Sequence, residues 1–265
     1  MSTTYTVTRP GSATPVDLTV DEIGTGRPFL LLHGSAGPAS FLPFASYLAE
    51  HRPGRALVPT SPGFNGTPRP DDIADVRALA GLYVDLLDEL DLADVTVVGN
   101  SIGGWVAAEI ALLASPRISN VVIMNGVGIA VPDHPVADFF SLTLDQLTEL
   151  SYHDPSRFRI DPASFDDARK AAFAANRQAI AVYAGHDMTD PTLAGRLGAV
   201  TVPTLVLWGQ SDRVVDPDYG RAYAAAIPTA TYQPLLDTGH LPQLETPALA
   251  LDAIWDFATR STAAA

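Results

Sequence analysis

Short apolar runs rich in β-branched residues alternate along this chain with stretches of helical period, and no other feature limits its fold as much. LTVDEIG (18–24) places apolar residues at alternate positions, the pattern of a half-exposed strand. PFLLLHG (28–34) is a continuous apolar run, as a strand covered on both faces requires. SFLPFASYLAE (40–50) reads as a short helix begun by a serine cap, and GRALVPT (54–60) as a strand. The rhythm continues with a helix over 75–91, the strand VTVVGN (95–100), a helix over 101–115 and the strand ISNVVIMNG (118–126). It closes with the strand TVPTLVLWG (201–209), a helix over 216–227, the strand ATYQPLL (230–236) and a helix over 247–260. Such alternation predicts an α/β fold: a mostly parallel central sheet of about eight strands flanked by helices on both faces. Ligands in such folds bind at the carboxyl ends of the strands.

The rhythm breaks between Gly126 and Val200, where no strand is evident. The segment carries helical patterns in DFFSLTLDQLTELS (138–151) and DDARKAAFAANRQAIAVYA (166–184), and it is too long for a connecting loop. It is expected to form a helical cap over 127–198, inserted after the sixth strand, with 1–126 and 199–265 forming the core. Because it leaves and rejoins the sheet at one edge, the cap should lie over that edge.

The net charge of −14 disfavours nucleic acid and anionic membrane surfaces as partners. The absence of cysteine excludes disulfides, thiolate chemistry and Cys-ligated zinc. No basic start followed by an apolar stretch marks a signal peptide, and the apolar runs are too short to span a bilayer, so a cytoplasmic protein is expected. The tail STAAA (261–265) is expected to fray. No metal-ligand spacing is visible, and Gly24-Thr25-Gly26 precedes a strand instead of following one, so it is a turn and not a phosphate loop. Neither a metal nor a cofactor is implied.

Four polar loops follow apolar runs and so should emerge on one edge: HGSAGPASF (33–41), GNSIGG (99–104), GQSDRVVDP (209–217) and DTGHLPQLE (237–245). Gly99-Asn100-Ser101-Ile102-Gly103 fits the pattern G-x-S-x-G, which holds a serine on a sharp strand-to-helix turn. A simple packing turn is the alternative, but the strand before and helix after favour a nucleophile. A serine nucleophile needs a base and an orienting carboxylate. Of six histidines, His51, His134, His153 and His186 lie at helix ends or in the insertion, and His33 belongs to a His-Gly turn. His240 remains as the base. Asp212 is the favoured orienter because it lies nearer its strand end, with Asp216 as the rival.

The segments GTGRPFLLLHG, PGFNG, VVGNSIGG, PTLVLWGQSDRVV and TGHLPQLETP, with the order Ser, Asp, His, resemble the α/β-hydrolase superfamily over nearly the whole chain. The resemblance implies an oxyanion hole made by the amides of Ser35 and Ile102, and a bracing role for His33. Two departures stand out. Thr60-Ser61-Pro62-Gly63 replaces the family's usual Asp-x-Pro-Gly. A serine instead of an aspartate at 101 argues against haloalkane dehalogenases and epoxide hydrolases. HGSAGP with GNSIGG also looks like the hydrolases that cleave carbon–carbon bonds in ring-fission products, although Leu241 stands where those enzymes carry tryptophan. Their cap arginine has two candidate counterparts, Arg177 and Arg196.

The expected function is a cofactor-free serine hydrolase acting on a small-molecule substrate, an ester or lactone with a largely apolar body. Phe139 and Phe140, with Leu142 and Phe173, would form the apolar wall. Carbon–carbon bond hydrolysis, a lyase or cyclase reaction, and a non-enzymatic small-ligand receptor are the alternatives.

Overall fold

The computed structural model describes residues 1–12 and 14–260, so the STAAA tail lies outside the described residues. The strands are β1 (Ser2–Val7), β2 (Val16–Gly24), β3 (Arg27–Leu32), β4 (Gly54–Pro59), β5 (Val95–Asn100), β6 (Ile118–Met124), β7 (Thr204–Gly209) and β8 (Ala230–Leu235). The helices are α1 (Leu42–His51), α2 (Val76–Glu89), α3 (Ile102–Leu113), α4 (Leu144–Ser151), α5 (Asp167–Ala184), α6 (Leu193–Arg196), α7 (Pro217–Ala225), α8 (Pro242–Glu245) and α9 (Pro247–Arg260). The strands form one eight-stranded sheet in the order β1-β2-β4-β3-β5-β6-β7-β8. Only the β1–β2 and β2–β4 pairings are antiparallel.

Burial follows the sequence pattern. Every residue of β5 and of β7 is buried, whereas β2 begins with alternating burial. Two apolar layers cover the sheet. One contains Leu30, Val97, Ile123 and the buried sides of α2, α3 and α7; the other contains Leu31, Val98, Met124 and the buried sides of α1 and α9. Helix α3 is buried on all sides through its first ten residues, so it runs as a core element directly behind β5.

Two local expectations need correction. Ser40 does not cap α1: its hydroxyl donates to the Gly37 carbonyl within a short 3₁₀ turn at Pro38–Ser40, and Phe41 takes the cap position. Asp138-Phe139-Phe140 is not helical. The Asp138 carboxylate accepts the amides of Phe140 and Ser141, which closes a turn, and α4 starts only at Leu144 behind a Thr143–Gln146 capping box. The Ser2–Val7 strand was not among the segments singled out above; its Thr-Tyr-Thr-Val alternation forms an edge strand against β2.

Residues 127–199 hold α4, α5, α6 and several 3₁₀ turns, with a single isolated bridge between Gly128 and Thr189. They rest on the loops at the carboxyl ends of the strands. The Tyr183 hydroxyl donates to the Pro62 carbonyl, and the Asn176 side chain accepts the Asn65 amide, both from α5 onto the loop after β4. The peptide links at the end of α4 bond the loops after β7 and β8. At the far end, Arg196 and Arg77 meet Asp190 and the buried Glu109 of α3. Burial acts to raise Asp190, but hydrogen bonds from Thr192, Arg77 and Arg196 outweigh it and hold this carboxyl well below the usual range. No helix among the described residues is long and apolar enough to cross a membrane.

Candidate active site

The end of β5 turns sharply into α3 at Ser101, whose backbone sits at φ 59°, ψ −121°, a region that costs a non-glycine residue about 1–3 kcal/mol. Neighbouring hydrogen bonds hold it there. Its amide donates to the Met124 carbonyl, and its own carbonyl accepts the amides of Gly104, Trp105 and Val127. The flanking glycines are steric requirements. A Cβ on Gly99 would fall 2.0 Å from the Gly103 oxygen, and one on Gly103 would fall 2.1 Å from the Leu32 oxygen. Helix α3 can therefore start almost in contact with both β5 and β3.

The loop after β3 lies directly against this turn, where a Cβ on Gly34 would come 2.9 Å from the Ser101 Cβ. His33 braces it. Its Nδ1 lies 2.9 Å from the Gly34 carbonyl and its Nε2 3.2 Å from the Ser61 amide. Burial pushes His33 down to about 4, so at neutral pH Nδ1–H donates to the carbonyl and Nε2 accepts from Ser61. This gives a physical role to the unusual Thr-Ser-Pro-Gly loop. The Ser61 hydroxyl also lies 3.1 Å from Nε2 and bonds the Tyr83 hydroxyl at 2.7 Å, so one residue of this loop offers both its amide and its hydroxyl to a neutral ring. Among the described residues, neither the Ser35 nor the Ile102 amide donates to a protein acceptor. Both flank Ser101 and are free to bind an oxyanion.

His240 and Asp212 arrive from the loops after β8 and β7. His240 Nδ1 lies 2.8 Å from Asp212 Oδ2. That oxygen also accepts Asn125 Nδ2 at 2.7 Å, while Oδ1 accepts the amides of Val214 and Val215. All four bonds orient a carboxylate that is only 2% exposed. Asp216 sits elsewhere. It caps α7 through the amides of Asp218 and Tyr219 and pairs with His134 at 2.7 Å, which raises that imidazole. The ligand atoms of His134, Asp216 and Asp218 lie within 4.8 Å of one another, a juxtaposition invisible in the sequence spacing. Asp218 also pairs with Arg221, so every member has a protein partner.

Three further polar groups hold the histidine loop. Asn100 Nδ2 donates to the His240 carbonyl at 2.9 Å, and Gln243 Nε2 donates to Asn100 Oδ1 at 3.0 Å. On the other side, the His240 amide donates to the Ser151 carbonyl at 2.6 Å.

Ser101 and His240 line one cavity of about 150 Å³, together with Ser35. No hydrogen bond joins their side chains among the described residues, a looseness common before substrate binds. The insertion supplies most of the remaining wall, including Phe139, Leu147, Tyr152, Phe158 and Met188. Phe173 lines this cavity, whereas Leu142 lines a neighbouring outer pocket. Phe140 does not face Ser101: it packs edge-on behind Phe139 and lines an open groove on the other side, because the Asp138 turn points the two rings apart. The stacked pair Tyr152–Phe158 was not foreseen.

The two arginines separate clearly. Arg196 is spent on Glu109 and Asp190, outside the cavity. Arg177 lines the cavity, donates to the carbonyls of Phe139 and Phe140, and lies over both rings. Among the described residues no carboxylate pairs with it.

The family model for the alpha/beta hydrolase family matches residues 29–253. The chain belongs to the alpha/beta hydrolase family. It is a hydrolase of the α/β type. The 2-hydroxy-6-oxo-2,4-heptadienoate hydrolase of Pseudomonas putida is 28% identical over 87% of this chain and 88% of its own length. The 2-hydroxymuconate semialdehyde hydrolase of a Pseudomonas species is 27% identical over 91% of this chain and 90% of its own. Among solved structures, a thermophilic esterase from Thermogutta terrifontis superposes with a TM-score of 0.77 at 24% identity, covering 98% of this chain and 99% of that one. At that identity the likeness is one of fold.

Proposed function

We propose that this α/β hydrolase is a serine hydrolase that cleaves the carbon–carbon bond beside a ketone in a small, carboxylate-bearing, conjugated substrate of the 2-hydroxy-6-oxo-dienoate class. Arg177 carries this reading. The cavity is lined by apolar and neutral polar side chains besides His240, and Arg177, which borders both it and the outer pocket, has no protein counter-ion among the described residues; a carboxylate on the substrate would supply one. The names of the two Pseudomonas relatives, which cover most of the chain, support the same class.

In this reading Ser101 Oγ adds to the ketone while His240 takes its proton. Asp212 stabilises the resulting imidazolium, and the Ser35 and Ile102 amides hold the oxyanion. For the neighbouring carbon to leave with its electron pair stabilised, the 2-hydroxy-dienoate must first be in its keto form, the enol proton having moved to the carbon beside the ketone. The bond between that carbon and the ketone carbon then breaks. Its electron pair passes into the conjugated keto-acid, and that carbon receives the proton from His240. Water, deprotonated by the same histidine, releases the acyl group from Ser101. Residues 127–198 act as the cap that selects the substrate, and the core of 1–126 and 199–265 carries the chemistry.

A second reading, hydrolysis of a small apolar ester or lactone by the same residues, is favoured by Leu241, which leaves no tryptophan beside His240. Steady-state turnover of 2-hydroxy-6-oxohepta-2,4-dienoate, measured beside nitrophenyl butyrate, separates the two. The dienoate should be the better substrate, and Arg177→Gln should lower its kcat/KM by about 10- to 100-fold, the worth of a hydrogen bond to a charged group. The neutral ester should respond several-fold less. Turnover of the ester alone would move the assignment to the second reading.

A further inference from the structure

Glu245, the last residue of α8, accepts the Gly239 amide on Oε2 at 2.6 Å and the Asp154 amide on Oε1 at 3.0 Å. Gly239 immediately precedes His240, and Asp154 lies in the insertion just past the end of α4. One side chain thus ties the histidine loop to the segment that walls the cavity. The two backbones touch at this point. The His240 amide reaches the Ser151 carbonyl, and a Cβ on Gly239 would lie 2.2 Å from that oxygen and 2.7 Å from the Tyr152 Cα. The neighbouring loop joins the same seam, since the Arg213 amide donates to the Leu150 carbonyl at 3.1 Å and its guanidinium to that of Glu149.

We propose that Glu245 is a positioning residue for His240, a clasp that sets the height of the imidazole by holding its loop against the end of α4. The proposal rests on the reading of Ser101 and His240 as nucleophile and base. Its physical basis is that bonds from amides to an ionised carboxylate are short and roughly twice as strong as neutral ones. Without the carboxylate, the Gly239 and Asp154 amides lose their acceptors together, and the backbone of Gly239 and His240 is held to the insertion by the Ser151 contact alone, with Asn100, Asp212 and the Thr238 bonds left on the core side. The clasp also makes the end of α4 a fixed wall, because any movement there would carry His240 with it.

Labelling with diisopropyl fluorophosphate, followed by mass spectrometry of the Ser101 peptide, tests this without a natural substrate. The wild type should be labelled at Ser101. In Glu245→Ala the maximal labelling rate should fall by about 10- to 100-fold, the order expected when a reacting group is displaced by an ångström. The half-saturating reagent concentration should stay within about twofold, because the reagent's cavity is intact. Glu245→Gln keeps the volume and one acceptor oxygen, so it should lose less, by at least about threefold, and it gives the answer if the alanine variant does not fold. Wild-type rates in both variants, or weaker reagent binding in step with a lower melting temperature, would overturn the clasp. An unlabelled Ser101 in the wild type would instead remove the serine reading, and the clasp with it.

Discussion

The rim of the sheet and the insertion above it hold the same cavity by different means. On the rim, directional bonds fix almost every group. Asp212 has four donors, His33 is enclosed by Gly34 and Ser61, and the Ser101 turn allows no Cβ at Gly99 or Gly103. In the insertion, Phe139, Leu147, Phe158 and Met188 present shape, and only Arg177 presents charge. A change on the rim should remove the reaction, because an orbital or a proton is then misplaced. A change in the insertion should redistribute rates among substrates, because apolar contacts are lost in proportion to the area removed.

The largest effect tests the rim. Ser101→Ala should lower kcat by on the order of 10⁶-fold with the melting temperature nearly unchanged. A variant keeping a tenth of the wild-type rate would take Ser101 out of its role and erase the contrast. Next comes Asp212→Asn against Asp216→Asn. An asparagine at 212 turns an NH₂ toward the donors of His240 or the Val214 and Val215 amides, so the imidazole tautomer is no longer fixed and the rate should fall by roughly 10⁴-fold. At 216 asparagine still caps α7 and only the partly exposed pair with His134 is weakened, so stability should fall by less than about 1 kcal/mol and turnover stay within a few-fold of wild type. Equal losses would mean that the two carboxylates share one role.

This contrast also explains what could be read from the sequence. The rim loops are legible because their signals are local: an apolar run, then glycine and a reactive residue within a few positions. The fold class follows from the same runs. The supporting polar groups are not legible. Asn125 reaches Asp212 across 87 positions, and Gln243 reaches Asn100 across 143. Nothing near either residue announces a partner. In the insertion, helical content is readable but facing is not. Phe139 and Phe140 are adjacent and equally apolar, and one Asx turn sends only the first toward Ser101. Arg177 and Arg196 are likewise alike on paper, until Glu109 and Asp190 claim the second.

That aromatic pair provides the sharpest small test. Phe139 is 8% exposed and lines the cavity, whereas Phe140 borders the outer groove and touches His186. Their side chains share Arg177, which lies over both rings at 5.0 and 5.4 Å and bonds both carbonyls. Phe139→Ala therefore opens space beside the reacting carbonyl and should shift kcat/KM toward bulkier acyl groups. The ratio between long and short chains should change by about 10- to 200-fold, the span available to apolar groups in a pocket. Phe140→Ala removes a ring from behind that wall. The carbonyl that Arg177 uses is backbone and survives, so the chain-length ratio should move by no more than about threefold. Measuring nitrophenyl acetate against the octanoate for both variants compares them within one assay. If Phe140→Ala alters the preference as strongly as Phe139→Ala, the wall is set by the pair as a unit. Selection would then reach through the insertion to the outer groove, and the contrast between rim and insertion would need a third region.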